Sequence, residues 1–157
     1  MGFTILFLVA WLLVVIALTM NKKLTLAENT FVFLLILVLN INWSWIAFEE
    51  MNLVGISQQP LQNTAFLINR SITIPVVILI AMNLMRRARS IGSQLLTAVL
   101  SVVLLEAITA TARYYGIVKF IRWNYGYDVV YYLVLLAIAY LLLSAFDRAG
   151  ERGVQRT

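Results

Sequence analysis

Five stretches of this chain are long enough to cross a bilayer and almost free of charge, and that pattern limits the fold more than any other feature. Residues 2–20 and 29–48 contain no Asp, Glu, Lys or Arg. Residues 64–85 contain only Arg70, and residues 91–112 only Glu106. Residues 128–146 open on Asp128 and are closed by Asp147. A helix needs about 20 apolar residues to cross the hydrocarbon core. The predicted fold is therefore an all-α integral membrane bundle of five transmembrane helices, one domain over residues 1–157. Composition agrees: 62% of the chain is hydrophobic and 12% charged, against about 45–50% and about 25% in a soluble domain.

The first run ends in "ALTMNKK", with no basic segment before it and no small-residue cleavage site, so it reads as a retained helix and not a signal peptide. Met1-Gly2 lacks the downstream Ser or Thr of a myristoylation signal. The chain shows no internal repeat and no GxxxG motif.

Basic residues give an orientation. Lys22, Lys23, Arg86, Arg87, Arg89, Arg148, Arg152 and Arg156 fall on one side of a five-span bundle, eight of the 12 Lys and Arg residues in the chain. The 49–63 loop has none. By the positive-inside rule the N-terminus is expected outside and the C-terminus in the cytoplasm, in a bacterial plasma membrane. Arg113, Lys119 and Arg122 run against this bias. Residues 113–125, "RYYGIVKFIRWNY", place Tyr114, Ile117, Val118 and Ile121 at helical spacing, with Lys119 and Arg122 on the other flank. The segment reads either as an interfacial helix lying along the headgroups or as a frayed extension of the fourth span. The net charge of +5 follows membrane topology, and no nucleic-acid partner is expected.

The expected outer side is rich in aromatics. Trp43, Trp45, Tyr114, Tyr115, Trp123, Tyr125, Tyr127, Tyr131 and Tyr132 fall towards it, and only Trp11 and Tyr140 do not. Part of this is the usual interfacial belt. Trp45, Tyr114, Trp123 and Tyr131 are the candidate rim of a site.

Arg70 and Glu106 are the charges that most need explaining. A charge at the bilayer centre costs about 2.5–3.5 kcal/mol on insertion scales, so it faces a bundle interior, a cavity or the interface. Each lies about six residues in from the outer end of its run, roughly 9 Å deep at the helical rise. An Arg70–Glu106 pair at that depth neutralises both; the plain alternative is that Arg70 snorkels to the headgroups. Val99, Val102, Glu106, Ala110 and Arg113 share a face, so Glu106 is expected to meet another helix. Asn42, Trp45 and Glu49 share a face of the second run, and Asn40, Trp43 and Glu50 lie round another. Asn42 is placed at the depth of the pair. Glu49 and Glu50 are at a boundary where solvation explains them equally, and Glu28 suits the start of a helix dipole. Pro75 removes a backbone donor, so a kink is expected beside Arg70, with the hydroxyls of Ser71 and Thr73 as partners for the freed groups. The candidate polar layer is Asn42, Glu49, Arg70, Glu106 and Arg113.

The chain has no Cys and no His. Thiolate metal sites, disulfides and the commonest general base are thereby excluded, and no catalytic residue, metal or cofactor is expected. The expected role is a non-enzymatic accessory subunit of a membrane assembly, with the lipid bilayer and a membrane-protein partner or a second copy as contacts. Two alternatives stand beside it: a small oligomeric transporter or ion-conducting protein using the Arg70/Glu106 layer, and a protein that binds an anionic lipid or ligand.

Overall fold

The computed structural model describes residues 1–154, and the side chains of residues 1–146. Asp147, Arg148 and Arg152 lie outside the described side chains, and Arg156 lies outside the described residues. All five apolar runs form helices long and apolar enough to cross a membrane: α1 Gly2–Thr19, α2 Leu26–Glu50, α3 Pro60–Arg87, α4 Ile91–Tyr114, and α5, which begins at Tyr125 and is apolar through Phe146. Alternate helices run in opposite directions. Residues 20–25 and 88–90 therefore lie at one end, the basic end, and residues 51–59 and 115–124 at the other.

The central helix is α3. Two thirds of its apolar window is buried (67%), against 22–33% for the other four, and it packs against all of them. Residues 73–79 are buried without interruption. A helix apolar on every side belongs in the middle of a bundle. The peripheral helices turn one stripe inward, such as Leu6, Ala10, Leu13 and Ala17 on α1, and leave large apolar side chains exposed on the rest. The N-terminus of α1 presses on the end of α4, where a Cβ on Gly2 would come within 2.6 Å of the Tyr115 Cβ.

The basic end is tied by a polar knot that the sequence reading did not single out. Asn83 Oδ1 accepts the backbone amides of Lys23 (3.0 Å) and Leu24 (3.2 Å). Its amide donates to Asn29 Oδ1 at 2.8 Å and to the Leu79 carbonyl at 3.0 Å. Asn29 in turn donates to the carbonyls of Leu24 and Thr25. Thr25 and Glu28 form a reciprocal capping box at the start of α2, which satisfies the backbone amides of both residues.

The opposite end corrects the reading of residues 113–125. They form neither an interfacial helix nor an extension of α4. The helix stops at Tyr114, and Gly116 takes a left-handed φ of +69°, the conformation that ends helices and that glycine adopts without strain. Beyond it, β2 (Val118–Phe120) pairs antiparallel with β1 (Val54–Ile56), Gly55 opposite Lys119. The ribbon extends past the strands: Ser57 N–H donates to the Ile117 carbonyl, and the Leu53 carbonyl accepts from both Ile121 and Arg122. β-branched residues at 54, 56 and 118 suit a pleated pair. Partner strands supplied by a distant loop override the local helical spacing.

Asn83→Ala would strand two backbone amides and the Asn29 carbonyl oxygen in a buried place, at about 1–3 kcal/mol for each group left unpaired. Asn42, exposed and bonded only to its own Val38 carbonyl, is the control. Thermal unfolding in detergent is expected to show a large loss for Asn83→Ala and almost none for Asn42→Ala.

Candidate functional site

The site is set by proline chemistry in α3. Residues 69–73 form a π-turn in which the Ile74 amide reaches back five residues to the Asn69 carbonyl. In that register the next amide would meet the carbonyl of Arg70, but residue 75 is proline and has none. The donor comes from α2 instead: Asn40 Nδ2 donates to the Arg70 carbonyl at 2.5 Å. Asn40 Oδ1 then accepts the Tyr131 hydroxyl of α5 at 2.6 Å. The partner of the freed carbonyl is thus Asn40, where the sequence pointed to Ser71 and Thr73.

Tyr131 continues the chain of contacts. Its ring stacks on Trp43 with centroids 5.4 Å apart, and Trp43 leans on Trp123 at 6.0 Å. Trp123 Nε1 donates to Asp128 Oδ1 at 2.7 Å. Asp128 is only 8% exposed and sits in the first turn of α5, where the helix dipole favours a carboxylate. Close by, Thr109 and Tyr132 share a hydrogen bond of 2.8 Å between α4 and α5.

These groups enclose a cavity of about 70 Å³ at the ribbon end. About 10–15 Å³ of such space holds a water, so it has room for a group of several heavy atoms. Its walls come from α2 (Asn40, Trp43, Ser44), α3 (Phe66, Asn69, Arg70), α4 (Thr109, Ala112), α5 (Asp128, Tyr131, Tyr132) and both strands (Val54, Val118, Phe120). Three wall residues carry buried atoms with no hydrogen-bond partner among the described residues: Asn69 Oδ1, Arg70 Nε and Asp128 Oδ2. The Arg70 guanidinium carbon stands 5.5 Å from the Phe66 ring centroid. The ring face stabilises the cation and leaves its N–H edge uncommitted. Arg113 lies outside the cavity wall, its guanidinium 4.5 Å from the Phe120 centroid and 5.0 Å from that of Tyr125, a clasp over the ribbon.

The expected Arg70–Glu106 pair is not formed. Both Glu106 oxygens are buried without a partner among the described residues, and the residue faces a separate shallow groove with Ala107, Ala110 and Gly126. Equal depth does not set equal azimuth, and α4 turns Glu106 away from Arg70. Of the residues singled out from sequence, Arg70, Trp123 and Tyr131 line the cavity. Glu106 and Arg113 do not. Asn42 faces outward and bonds to its own helix, Glu49 is exposed at the end of α2, and Trp45 and Tyr114 are 58% and 84% exposed. The candidate polar layer does not include Asn40, Asn69, Tyr132 or Asp128, which the sequence places only by helix face, side or position in the run. One signal was available for Asn40: it shares a helical face with Trp43 and Ala47, and Ser44 beside them lets helices approach closely. Nothing among protein-family models, curated proteins or solved structures matches this chain.

Two outcomes follow from this geometry. Asn40→Ala should destabilise the protein in the native background and less so beside Pro75→Ala, because alanine restores an amide for the orphaned carbonyl; a thermodynamic double-mutant cycle should give a coupling of about 1 kcal/mol. Arg70→Leu and Glu106→Leu, which share no contact, should instead add to within about 0.5 kcal/mol.

Proposed function

We propose that the chain is a non-enzymatic integral membrane protein that binds a small zwitterionic group in the ribbon-end cavity. The five helices span a bacterial plasma membrane with the ribbon outside, the basic end in the cytoplasm and residues 1–157 acting as one domain. Among the described residues, Lys22, Lys23, Arg86, Arg87 and Arg89 gather at the end opposite the ribbon, which supports that orientation.

The observation that carries the reading is the set of unpartnered atoms in one wall: a guanidinium N–H from Arg70 and two acceptor oxygens, from Asn69 and Asp128. A buried polar group without a hydrogen bond costs about 1–3 kcal/mol. A ligand with an anionic oxygen for Arg70 and an N–H donor for Asp128 supplies the missing partners on both sides. A simple anion leaves the acceptors unmet, and a simple cation leaves Arg70 unmet. Two ionisable groups in the wall without an ion pair between them also favour a ligand that is itself both donor and acceptor. The absence of His and Cys from the chain removes the usual base and thiol nucleophile and favours binding over turnover.

One observation favours the accessory-subunit reading as a second possibility. Glu106 lines a groove with Ala107, Ala110 and Gly126, small residues of the kind that admit a neighbouring membrane helix. A stoichiometric protein partner in mild detergent, lost on Ala110→Leu, would establish it.

The cavity reading is tested by ligand-induced stabilisation. O-phosphoethanolamine should raise the melting temperature of the purified protein, equivalent to about 2.7 kcal/mol at a hundred times Kd. Inorganic phosphate and ethanolamine alone should do little. Arg70→Leu and Asp128→Asn should each remove the shift. A melting temperature unmoved by all three compounds would sink the proposal.

A further inference from the structure

A second concavity lies against the same wall. Between α2 and α5 an apolar groove of about 510 Å³ is lined by Leu39 and Ile46 on one side and by Val130, Val134 and Ile138 on the other. Its back at the ribbon end is Trp43, Trp123 and Tyr131, and these three residues also line the polar cavity. The groove has almost no polar demand of its own: the amide of Asn42 is committed to the Val38 carbonyl. Along α5 it runs from Tyr127 to Ile138, roughly 16 Å at the helical rise. That is about half of a hydrocarbon core of about 30 Å, one leaflet.

We infer that the ligand is a membrane lipid, an aminophospholipid of the outer leaflet, with one acyl chain in the α2–α5 groove and its headgroup in the cavity. This rests on the cavity reading and adds the source of the zwitterion. The division of chemistry along the site matches such a molecule. An apolar groove of leaflet depth shares Trp43, Trp123 and Tyr131 with a cavity that holds one cation for a phosphate and acceptor oxygens for a primary ammonium. Trp and Tyr at the junction suit the level where chain gives way to headgroup, because their rings are apolar and their N–H and O–H are not. Arg70 meets the phosphate through its uncommitted N–H edge. Asp128 Oδ2 and Asn69 Oδ1 accept from the ammonium. Choline lacks N–H donors and glycerol lacks the positive charge, so neither headgroup satisfies both sides of the cavity.

The test is native mass spectrometry of the full chain in detergent with equimolar dioleoylphosphatidylethanolamine, dioleoylphosphatidylglycerol and dioleoylphosphatidylcholine. The ethanolamine lipid should be retained about tenfold over the others, a difference of about 1.4 kcal/mol. Val134 is 48% exposed, so Val134→Trp fills the groove without entering the core. It should cut lipid retention about tenfold while O-phosphoethanolamine still raises the melting temperature. Asp128→Asn should erase the preference over choline. Equal retention of the three lipids, or undiminished retention by Val134→Trp, overturns the lipid inference. If O-phosphoethanolamine binds while lipid retention ignores the groove, this inference alone fails; if O-phosphoethanolamine does not bind the wild type, the cavity reading fails with it.

Discussion

One missing amide hydrogen organises the core of this protein. Pro75 sits in the most buried helix, where the carbonyl it leaves unpaired has no solvent to turn to. A π-turn at residues 69–73 moves that orphan onto Arg70, and Asn40 from α2 answers it. An asparagine amide that donates still has a carbonyl oxygen to satisfy, and Tyr131 from α5 supplies the hydroxyl. The position of Tyr131 then fixes Trp43, Trp123 and through them Asp128. Three helices are registered against one another by a relay that begins with a backbone defect. Interhelical hydrogen bonds of this kind are individually modest, about 0.6 kcal/mol on average in membrane bundles. Their weight here lies in specificity, because each link has only one geometry in which every group is satisfied.

The same accounting closes the two ends by different means. At the basic end a two-asparagine knot holds residues 23–25 against α3. At the other end two loops, neither with enough local structure to satisfy its own backbone, pair with each other as β1 and β2. An isolated two-stranded ribbon is marginal in water. This one is seated on the bundle by Val54 and Val118, both buried, and clasped by Arg113 over Phe120. It roofs the cavity, and its strands contribute wall residues that no helix carries.

The five helices were legible because hydrophobic length is a one-dimensional property: a run of about 20 apolar residues needs no partner to announce itself. Arg70 was legible for a related reason, since a charge in such a run is rare and demands a polar setting. What sequence could not supply was azimuth and long-range pairing. Arg70 and Glu106 match in depth, yet depth says nothing of which way each side chain points, and α4 turns Glu106 aside. Asn42 and Asn40 lie two residues apart on different faces. The choice between them is made by burial, Asn40 at 1% exposure and Asn42 open, and burial depends on where α3 and α5 stand. Residues 113–125 have a helical spacing of apolar side chains that is real but idle. Gly116 breaks the helix and the partner strand lies some sixty positions earlier in the chain.

Arg70 and Asp128 face one cavity with no ion pair between them. If their role were only to offset each other, direct contact would be the economical arrangement, since breaking a buried pair leaves a charge uncompensated at a cost of about 3–5 kcal/mol. Each is instead supported from behind by an aromatic group, Arg70 by the face of Phe66 and Asp128 by the indole N–H of Trp123. Both supports are rigid and neither occupies the whole of the charged group. Under the proposed reading, a guanidinium with a free edge and a carboxylate with a free oxygen, held apart by packed rings, form a preorganised receptor. Departures from local rules of burial that persist in a folded chain concentrate where function needs them, and here they gather in one wall. Glu106 breaks the same rule where α4 faces α5, in the groove with Ala110 and Gly126 and outside that wall, and under the proposed reading its partner is sought on the helix surface and not in the ligand.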